Sequence, residues 1–506
     1  MSDEAVRSAL RSNAPLVVIE APAGCGKTYQ GAEYARSLAG TDGAGRLLIL
    51  THTHAACSVF AGQTKGIATR VEIRTIDSLI ATIAGAYHAG IGLPPDTAAW
   101  ARQNKDGYAH VALKVAGLLK RHPMIGAALA QRYPFVICDE HQDCSGDQHA
   151  TAVAFLSAGS KLRIFADPMQ HIYKDKALIG GSPPCDWDAL TKEANAFAQL
   201  GTPHRWRDGC RDLGRWTLTA RKALTTGGRV DLRSGLPDSV EVIVAENRAQ
   251  RYGEYQLANA ERRPIDNFVT AQNSLLVLTH HNDVARALRG FFGRRVALWE
   301  GHVRDGLETL VDALIVGQGN ATALSSAVVR FMGDIGKGFS PSAFGHRFEQ
   351  EARDGCTAKC RSKPAAIQQL ARFLVDEPDH LGVAKMLAHL AVLKLSDAAF
   401  ADIEMDCLRE FHDAVRLGEF ATVEEGLAEI THRRTYARPR PPARAISTIH
   451  KAKGLECDSV IVMPIDAKTF PDRAELRCLL YVALSRAKKR LTLVVSKDKP
   501  SPLLIM

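Results

Sequence analysis

The feature that most constrains this chain is a short apolar run that leads into a glycine-rich turn. Leu16-Val17-Val18-Ile19 is followed, after Glu20, by Ala21-Pro22-Ala23-Gly24-Cys25-Gly26-Lys27-Thr28. The run has the length and composition of a buried strand, and a helical pattern begins at Thr28. Strand, tight turn and helix start in that order make a phosphate cradle. Glycines let backbone N–H groups curl around phosphate oxygens, and the helix presents its positive end. Lys27 supplies a point charge to the β- and γ-phosphates, and the Thr28 hydroxyl is a ligand for Mg²⁺. Ala21 stands where the pattern usually begins with glycine and is small enough to keep the turn. The expected nucleotide-binding residues are therefore Gly24, Cys25, Gly26, Lys27 and Thr28. The competing reading, an accidental Gly-Lys-Thr turn, lacks a reason for the strand before it and the helix after it.

Similar four-residue apolar runs follow at Leu47-Leu48-Ile49-Leu50, Phe135-Val136-Ile137-Cys138 and Leu162-Arg163-Ile164-Phe165. They alternate with longer helical patterns, as α/β units around a parallel sheet do. Leu275-Leu276-Val277-Leu278, Val460-Ile461-Val462-Met463 and Leu491-Thr492-Leu493-Val494-Val495 repeat the rhythm. Between about 290 and 440, Ala, Leu and Arg recur at helical spacing, which predicts a mainly helical insertion. A smaller insertion is expected at about 84–128. The expected fold is α/β, with two phosphate-loop-type domains on parallel sheets, each interrupted by a mainly helical insertion. The first domain takes residues 1–83 and 129–215 and binds the nucleotide, with 84–128 inserted. The second takes 216–290 and 441–506, with 291–440 inserted. Arg433 to Pro442 forms a basic, extended connector that is either a solvated linker or a phosphate contact.

Composition narrows the class. A length of 506 residues suits roughly three to four domains. With 46% hydrophobic and 24% charged residues, disorder, collagen and disulfide scaffolds are excluded as the main description. No run of 18 apolar residues is present, so no membrane span is expected. Met1-Ser2-Asp3-Glu4 lacks the pattern of a secretion signal, and 11 scattered cysteines read as reduced thiols. The expected compartment is cytoplasmic. Lys and Arg number 64 against 55 acids, a net +9, which permits a polyanionic partner without requiring one.

After the Phe135 run come Asp139-Glu140-His141-Gln142-Asp143. Adjacent acids at the end of a buried strand are costly unless they hold a metal or a water, and successive strand residues point opposite ways. Asp139 is expected to hold Mg²⁺, and Glu140 to orient and deprotonate the attacking water. An acidic turn capping the next helix is the competing reading, and the phosphate loop upstream weighs against it. The next strand leads into Asp167-Pro168-Met169-Gln170-His171-Ile172-Tyr173, where the neutral amide of Gln170 is placed to sense the γ-phosphate.

Taken in order, these segments resemble the UvrD/Rep-like superfamily 1 helicases. Ser447-Thr448-Ile449-His450-Lys451-Ala452-Lys453-Gly454-Leu455-Glu456 is similar to the fifth motif of that family, and Leu480-Tyr481-Val482-Ala483-Leu484-Ser485-Arg486-Ala487 to the sixth. The likeness spans about residues 16 to 496, outside the two insertions. It implies two RecA-like domains with ATP between them. It implies that Arg486 contacts the γ-phosphate, that Glu456 lies near the ribose or phosphates, and that Arg205 is the arginine of the fourth motif. Arg205 has an alternative role, a structural cation–π contact with Trp206. For the nucleic acid, the resemblance implies contacts from Thr51, Thr53, His54, Thr75, Thr448 and His450. Tyr173 resembles a base-stacking aromatic, with packing against the domain core as the alternative.

The chain departs from the family in several places. No glutamine precedes the phosphate loop; Val6 and Arg7 occupy that stretch, so base selectivity is not expected from that source. His204 stands where a tyrosine commonly stacks on the base. Lys174-Asp175 replaces a common tryptophan, and the first insertion is short, which together imply a weaker grip on DNA. Cys356-Thr357-Ala358-Lys359-Cys360 has no second ligand pair, and the 18 histidines show no ligand spacing, so no transition-metal site is expected. The leading expectation is a 3′ to 5′ single-stranded DNA translocase or helicase using ATP and Mg²⁺, acting on single-stranded or tailed DNA. The alternative is a DNA-sensing ATPase subunit that regulates a partner nuclease, as in the Gabija antiviral pairs. A third reading is a phosphate-loop ATPase without nucleic acid.

Overall fold

The computed structural model describes residues 2–39, 45–104, 106–173, 181–246, 255–293, 295–299, 305–339, 344–436 and 441–506. Lys174-Asp175 and the 437–440 part of the basic connector lie outside them. The chain divides into two compact units, Met1–Val296 with Pro441–Met506, and Ala297–Arg440.

The first unit holds two parallel sheets. The first sheet comprises β1 (Leu16–Glu20), β2 (Leu47–Thr51), β3 (Val71–Thr75), β4 (Phe135–Cys138), β5 (Lys161–Ala166) and β6 (Ala196–Gln199), in the order β3-β2-β4-β5-β1-β6. The side chains follow the period of two. Leu16, Val18, Leu48, Leu50, Val136, Leu162 and Ile164 enter a core shared with Val111, Val115 and Leu118 of helix Gly107–Arg121. Val17, Ile19, Leu47, Ile49, Ile137 and Phe165 enter the opposite core, with Val6 and Leu10 of the N-terminal helix Ser2–Arg11. A sheet buried on both faces explains why its central strands are apolar throughout.

The second sheet of this unit contains β7 (Val240–Ala245), β8 (Leu275–Thr279), β9 (Arg444–Thr448), β10 (Cys457–Ile465) and β11 (Ala487–Ser496), in the order β9-β8-β10-β11-β7 and parallel throughout. The α/β expectation agrees with these two sheets. Four strands escaped the sequence reading: β3, β6, β7 and β9. β3 and β6 flank the first sheet and β7 flanks the second. Their faces are only partly buried, so Val71-Glu72-Ile73-Arg74 and Ala196-Phe197-Ala198-Gln199 carry polar residues that hide them from a search for apolar runs.

Among the described residues, one buried charged side chain sits inside the first sheet. Arg163 on β5 is fully buried and donates to Leu10 O, Ser12 O and Ala14 O at 2.8–2.9 Å. It thereby satisfies carbonyls at the C-terminal end of helix Ser2–Arg11, where a helix lacks acceptors' partners and favours a cation.

The second unit is mainly helical. Its helices include Asp305–Gly317, Ala321–Ile335, Ser362–Asp376, His380–Ser396 and Leu408–Arg416. They surround their own core, with Leu307, Val328, Phe348, Leu370, Leu387 and Phe400 fully buried. Cys356 is part of this core, and its thiol approaches the carbonyls of Glu351 at 3.6 Å and Gln368 at 3.5 Å.

Candidate functional site

The carboxyl ends of β1, β4 and β5 lie side by side, the usual place for a ligand in a parallel sheet. β1 leads into the phosphate loop. Gly24 and Gly26 have φ of +73° and +84°, a region that residues with a Cβ avoid. A Cβ on Gly24 would also lie 2.7 Å from Arg205 Cβ, so the loop needs glycine for space as well. Helix Lys27–Ala39 starts directly from the loop and leaves its first-turn N–H groups without intrahelical acceptors.

Lys27 Nζ is 3.4 Å from Asp139 Oδ1 and pairs with Glu140 Oε1. Burial opposes the charge of Lys27, yet Asp139 and Glu140 hold its ammonium above the ordinary range. Burial pushes Asp139 up to about 6, with Lys27 pulling down and Glu140 adding to the rise. Against the effect of its own burial, Glu140 is held down to about 2 by Lys27 and Lys453. Asp139 Oδ1 is buried and faces the Lys27 ammonium at 3.4 Å, with no closer hydrogen-bond donor among the described residues. A buried carboxylate oxygen in that state suits a cation ligand. Thr28 and Asp139 could hold Mg²⁺, and the loop N–H groups with Lys27 could hold a triphosphate.

Glu140 itself has φ of +55°, strained for a residue with a side chain. Gln142 Nε2 donates to Glu140 Oε2 at 2.5 Å, and Gln142 Oε1 accepts from Asp167 N at 3.1 Å. Gln170 Nε2 donates to Asp167 Oδ2 at 2.8 Å. Asp167 Oδ1 in turn accepts from Arg221 at 2.7 Å, and Arg221 also reaches Glu20 at 2.6 Å. A continuous network therefore joins Glu140 to Gln170. Sequence reading found its two ends and missed Gln142, Asp167 and Arg221. Gln142 and Asp167 lie within the segments already marked, while nothing local marks Arg221.

Residues around the second sheet reach the same loop. Arg205 N donates to Gly24 O at 2.9 Å, its Nη1 donates to Ser485 O at 2.6 Å, and its Nη2 pairs with Glu456 at 2.7 Å. Its guanidinium also lies 5.6 Å from the Trp206 ring, so the cation–π contact exists beside the phosphate-loop contact. Arg486 is buried and donates to Val482 O at 2.9 Å, Ser485 Oγ at 2.6 Å and Leu455 O at 3.3 Å. Burial, then the neighbouring charge of Arg205, lowers it to about 10, while Glu140 is among the charges acting the other way. Tyr481 OH accepts from Ala23 N at 2.8 Å. Lys453 pairs with Asp143 at 2.6 Å and donates to Gln170 O at 2.8 Å. His204 packs beside Gly26 and its Nε2 lies 2.7 Å from Asp3 Oδ2. The phosphate loop is thus joined directly to Arg205 and Tyr481, Arg205 in turn to Glu456 and Ser485, and Lys453 joins Asp143 to the Gln170 carbonyl, with Arg486 bonded to Ser485 behind them. Tyr481, Lys453 and Asp143 had no role assigned from sequence.

The residues expected to touch nucleic acid fall at strand ends. Thr51 is buried, its hydroxyl bonded to Thr53 O at 3.1 Å. Thr53 Oγ1 caps helix His54–Gln63 by accepting from Ala56 N, and Thr75 Oγ1 caps helix Ile76–Ala86 by accepting from Ser78 N, both at 3.1 Å. Thr448 Oγ1 accepts from Lys451 N at 3.4 Å. His54 is half-buried. Tyr173 is 48% exposed, which removes core packing as its role. Its ring centroid is 6.3 Å from that of His450, and Lys453 Nζ lies 4.9 Å from the ring. Tertiary folding brings His141, His149 and Cys185 together, a grouping that no spacing in the sequence marks.

Residues 97–176 match the UvrD/REP helicase N-terminal domain, and residues 444–494 match the UvrD-like helicase C-terminal domain. Over these two stretches the chain is similar to UvrD-like helicases. The first stretch contains Asp139, Glu140 and Gln170, and the second contains Thr448, Glu456 and Arg486. No curated protein matches the chain. Among the described residues, no helix is long and apolar enough to cross a membrane.

Proposed function

We propose that the protein is an ATP-dependent single-stranded DNA translocase and helicase of the UvrD type, moving 3′ to 5′. The observation that supports this best is the convergence on one phosphate loop of Lys27, Asp139 and Glu140 with Arg205, Glu456 and Arg486. In this reading Lys27 and the loop N–H groups grip the β- and γ-phosphates, and Thr28 and Asp139 hold Mg²⁺. The ion supplies charge neutralisation as the γ-phosphoryl group leaves. Glu140, already ionised, orients the attacking water and takes its proton. Arg205 and Arg486 place positive charge on the leaving phosphate from the opposite side. Gln170, bonded through Asp167 and Gln142 to Glu140, reports the state of the nucleotide to the base.

Lys453 links this chemistry to the strand. Its ammonium touches the acidic box, the Gln170 carbonyl and the face of Tyr173 at once. Tyr173 and His450 are read as the surface on which bases stack, and Thr51, Thr53, His54, Thr75 and Thr448 as the loop ends that meet phosphates. Each threonine hydroxyl that accepts from the backbone keeps its own O–H to donate. A nucleotide moves nothing unless it favours one arrangement of the strand-binding residues over another, and Lys453 is the side chain that feels both.

The test is steady-state ATP turnover with and without single-stranded DNA, together with strand separation on 3′-tailed and 5′-tailed duplexes. Stimulated turnover with separation of the 3′-tailed duplex is expected, and Lys27→Ala should abolish both. Turnover indifferent to DNA would sink the motor. Stimulated turnover without strand separation would favour the alternative, a DNA-sensing subunit that regulates a nuclease.

A further inference from the structure

The acidic box continues into a second cluster that nucleotide chemistry does not use. His141 lies in the short helix His141–Asp143, directly after Glu140. His149 lies on helix Gly146–Ser157, and Cys185 lies just before helix Trp187–Glu193. Their ligand-capable atoms all fall within 4.8 Å of one another. His141 Nε2 and His149 Nδ1 are 2.9 Å apart, and His141 is buried. The other nitrogen of His141, Nδ1, is 3.4 Å from Cys144 Sγ. A proton on Nδ1 directed at that sulfur leaves Nε2 bare, which is how imidazole meets a metal.

The chemistry of the donors separates this cluster from the Mg²⁺ site. Thr28 and Asp139 offer oxygen, which suits a hard cation. Two imidazole nitrogens and a thiol are the set preferred by late first-row divalent ions, zinc above all. Zinc bonds of about 2.0–2.1 Å to nitrogen and about 2.3 Å to sulfur put tetrahedral ligand atoms roughly 3.3–3.6 Å apart. The spacing present needs small side-chain movements to reach that.

We propose that His141, His149 and Cys185 bind a zinc ion, with water in the fourth position. On binding, the Cys185 thiol gives up its proton to solvent and ligates as thiolate, and the His149 proton moves from Nδ1 to Nε2. The ion would join the turn carrying Glu140 and the helix directly after it to the chain before helix Trp187–Glu193. Because His141 adjoins Glu140, the zinc acts as a brace that positions the general base and takes no part in the reaction itself.

The experiment uses the full chain, free of any histidine tag, loaded with Zn²⁺ and then dialysed against metal-free buffer. Elemental analysis should find about one equivalent retained per chain. Cys185→Ser and His149→Asn should each lose it, while Lys27→Ala, in the nucleotide pocket, should keep it. Co²⁺ in place of Zn²⁺ should give tetrahedral visible bands and a thiolate charge-transfer band that disappears in Cys185→Ser. No zinc on the wild-type chain, or equal retention by both ligand variants, would overturn the proposal. If circular dichroism shows Cys185→Ser unfolded, His149→Asn decides alone. None of these readouts depends on helicase activity.

Discussion

Glu140 holds its place through a left-handed backbone that costs about 1–3 kcal/mol and through Gln142, which fixes one of its oxygens at 2.5 Å. Lys27 pairs with its other oxygen and favours the carboxylate, the form that accepts a proton from water. Glu140→Gln keeps the shape and removes the basicity. It should lower ATP hydrolysis by about 10²–10⁴-fold in single-turnover assays, while nucleotide binding, followed by fluorescence titration, stays near the wild-type level. Unchanged hydrolysis would take the base role from Glu140. Tyr173 is the other residue whose role follows from its surroundings. Its half-exposed ring beside His450 and Lys453 should contribute about 1–3 kcal/mol to single-strand binding, so Tyr173→Ala should weaken that binding about 5- to 150-fold in anisotropy titrations. Equal affinity would move the stacking surface elsewhere. Both residues were legible in the sequence because their motifs are contiguous. The network behind Glu140 was not fully legible: Asp167 and Arg221 are separated by more than fifty positions, and only the fold makes them a pair.

At the scale of elements, the turn after β9 matters through one side chain. Lys453 bridges to Asp143 and to the Gln170 carbonyl, so it ties that turn to the segments that follow β4 and β5. Lys453→Met keeps the aliphatic stem and breaks the tie. Coupling carried by one such contact is typically about 0.5–2 kcal/mol, so DNA stimulation of turnover should fall about 2- to 30-fold, with DNA-free turnover less affected. An equal fall in both rates would make Lys453 part of the reaction chemistry and not of the coupling. β5 carries a second test. Arg163 is an arginine within the apolar stretch Leu162–Phe165 of its strand, and its guanidinium satisfies three carbonyls at and beyond the end of helix Ser2–Arg11. Arg163→Ala leaves those acceptors buried and empty. A loss of about 3 kcal/mol in urea unfolding is expected, and a loss under 1 kcal/mol would show that water replaces the guanidinium. The central strands could be read from sequence because both their faces are buried. β3 and β6 could not, because a flanking strand with a half-covered face carries polar residues among its apolar ones, whereas β7 holds the run Val242-Ile243-Val244-Ala245 and was open to the same reading as the central strands.

At the scale of the whole molecule, runs of four mark the sheets of Met1–Val296 with Pro441–Met506, which also holds helices of its own, while Ala297–Arg440 is built mainly from apolar residues at helical spacing. The buried core of the helical unit draws on residues from Leu307 to Ile430, all of them inside its own span. A segment that closes its own core needs no neighbour to bury its apolar faces. Residues 297–440 expressed alone should therefore fold, with a stability of about 5–15 kcal/mol. Trp299, the single tryptophan of this stretch, lies 5.7 Å from the Arg409 guanidinium and reports tertiary packing. Helicity and Trp299 fluorescence should be lost together in one urea transition, as a two-state unit requires. Helicity that fades gradually while the fluorescence already resembles that of the unfolded chain would mark a loose assembly of helices. In that case the unit would depend on the rest of the chain for its packing, and its independence would be refuted.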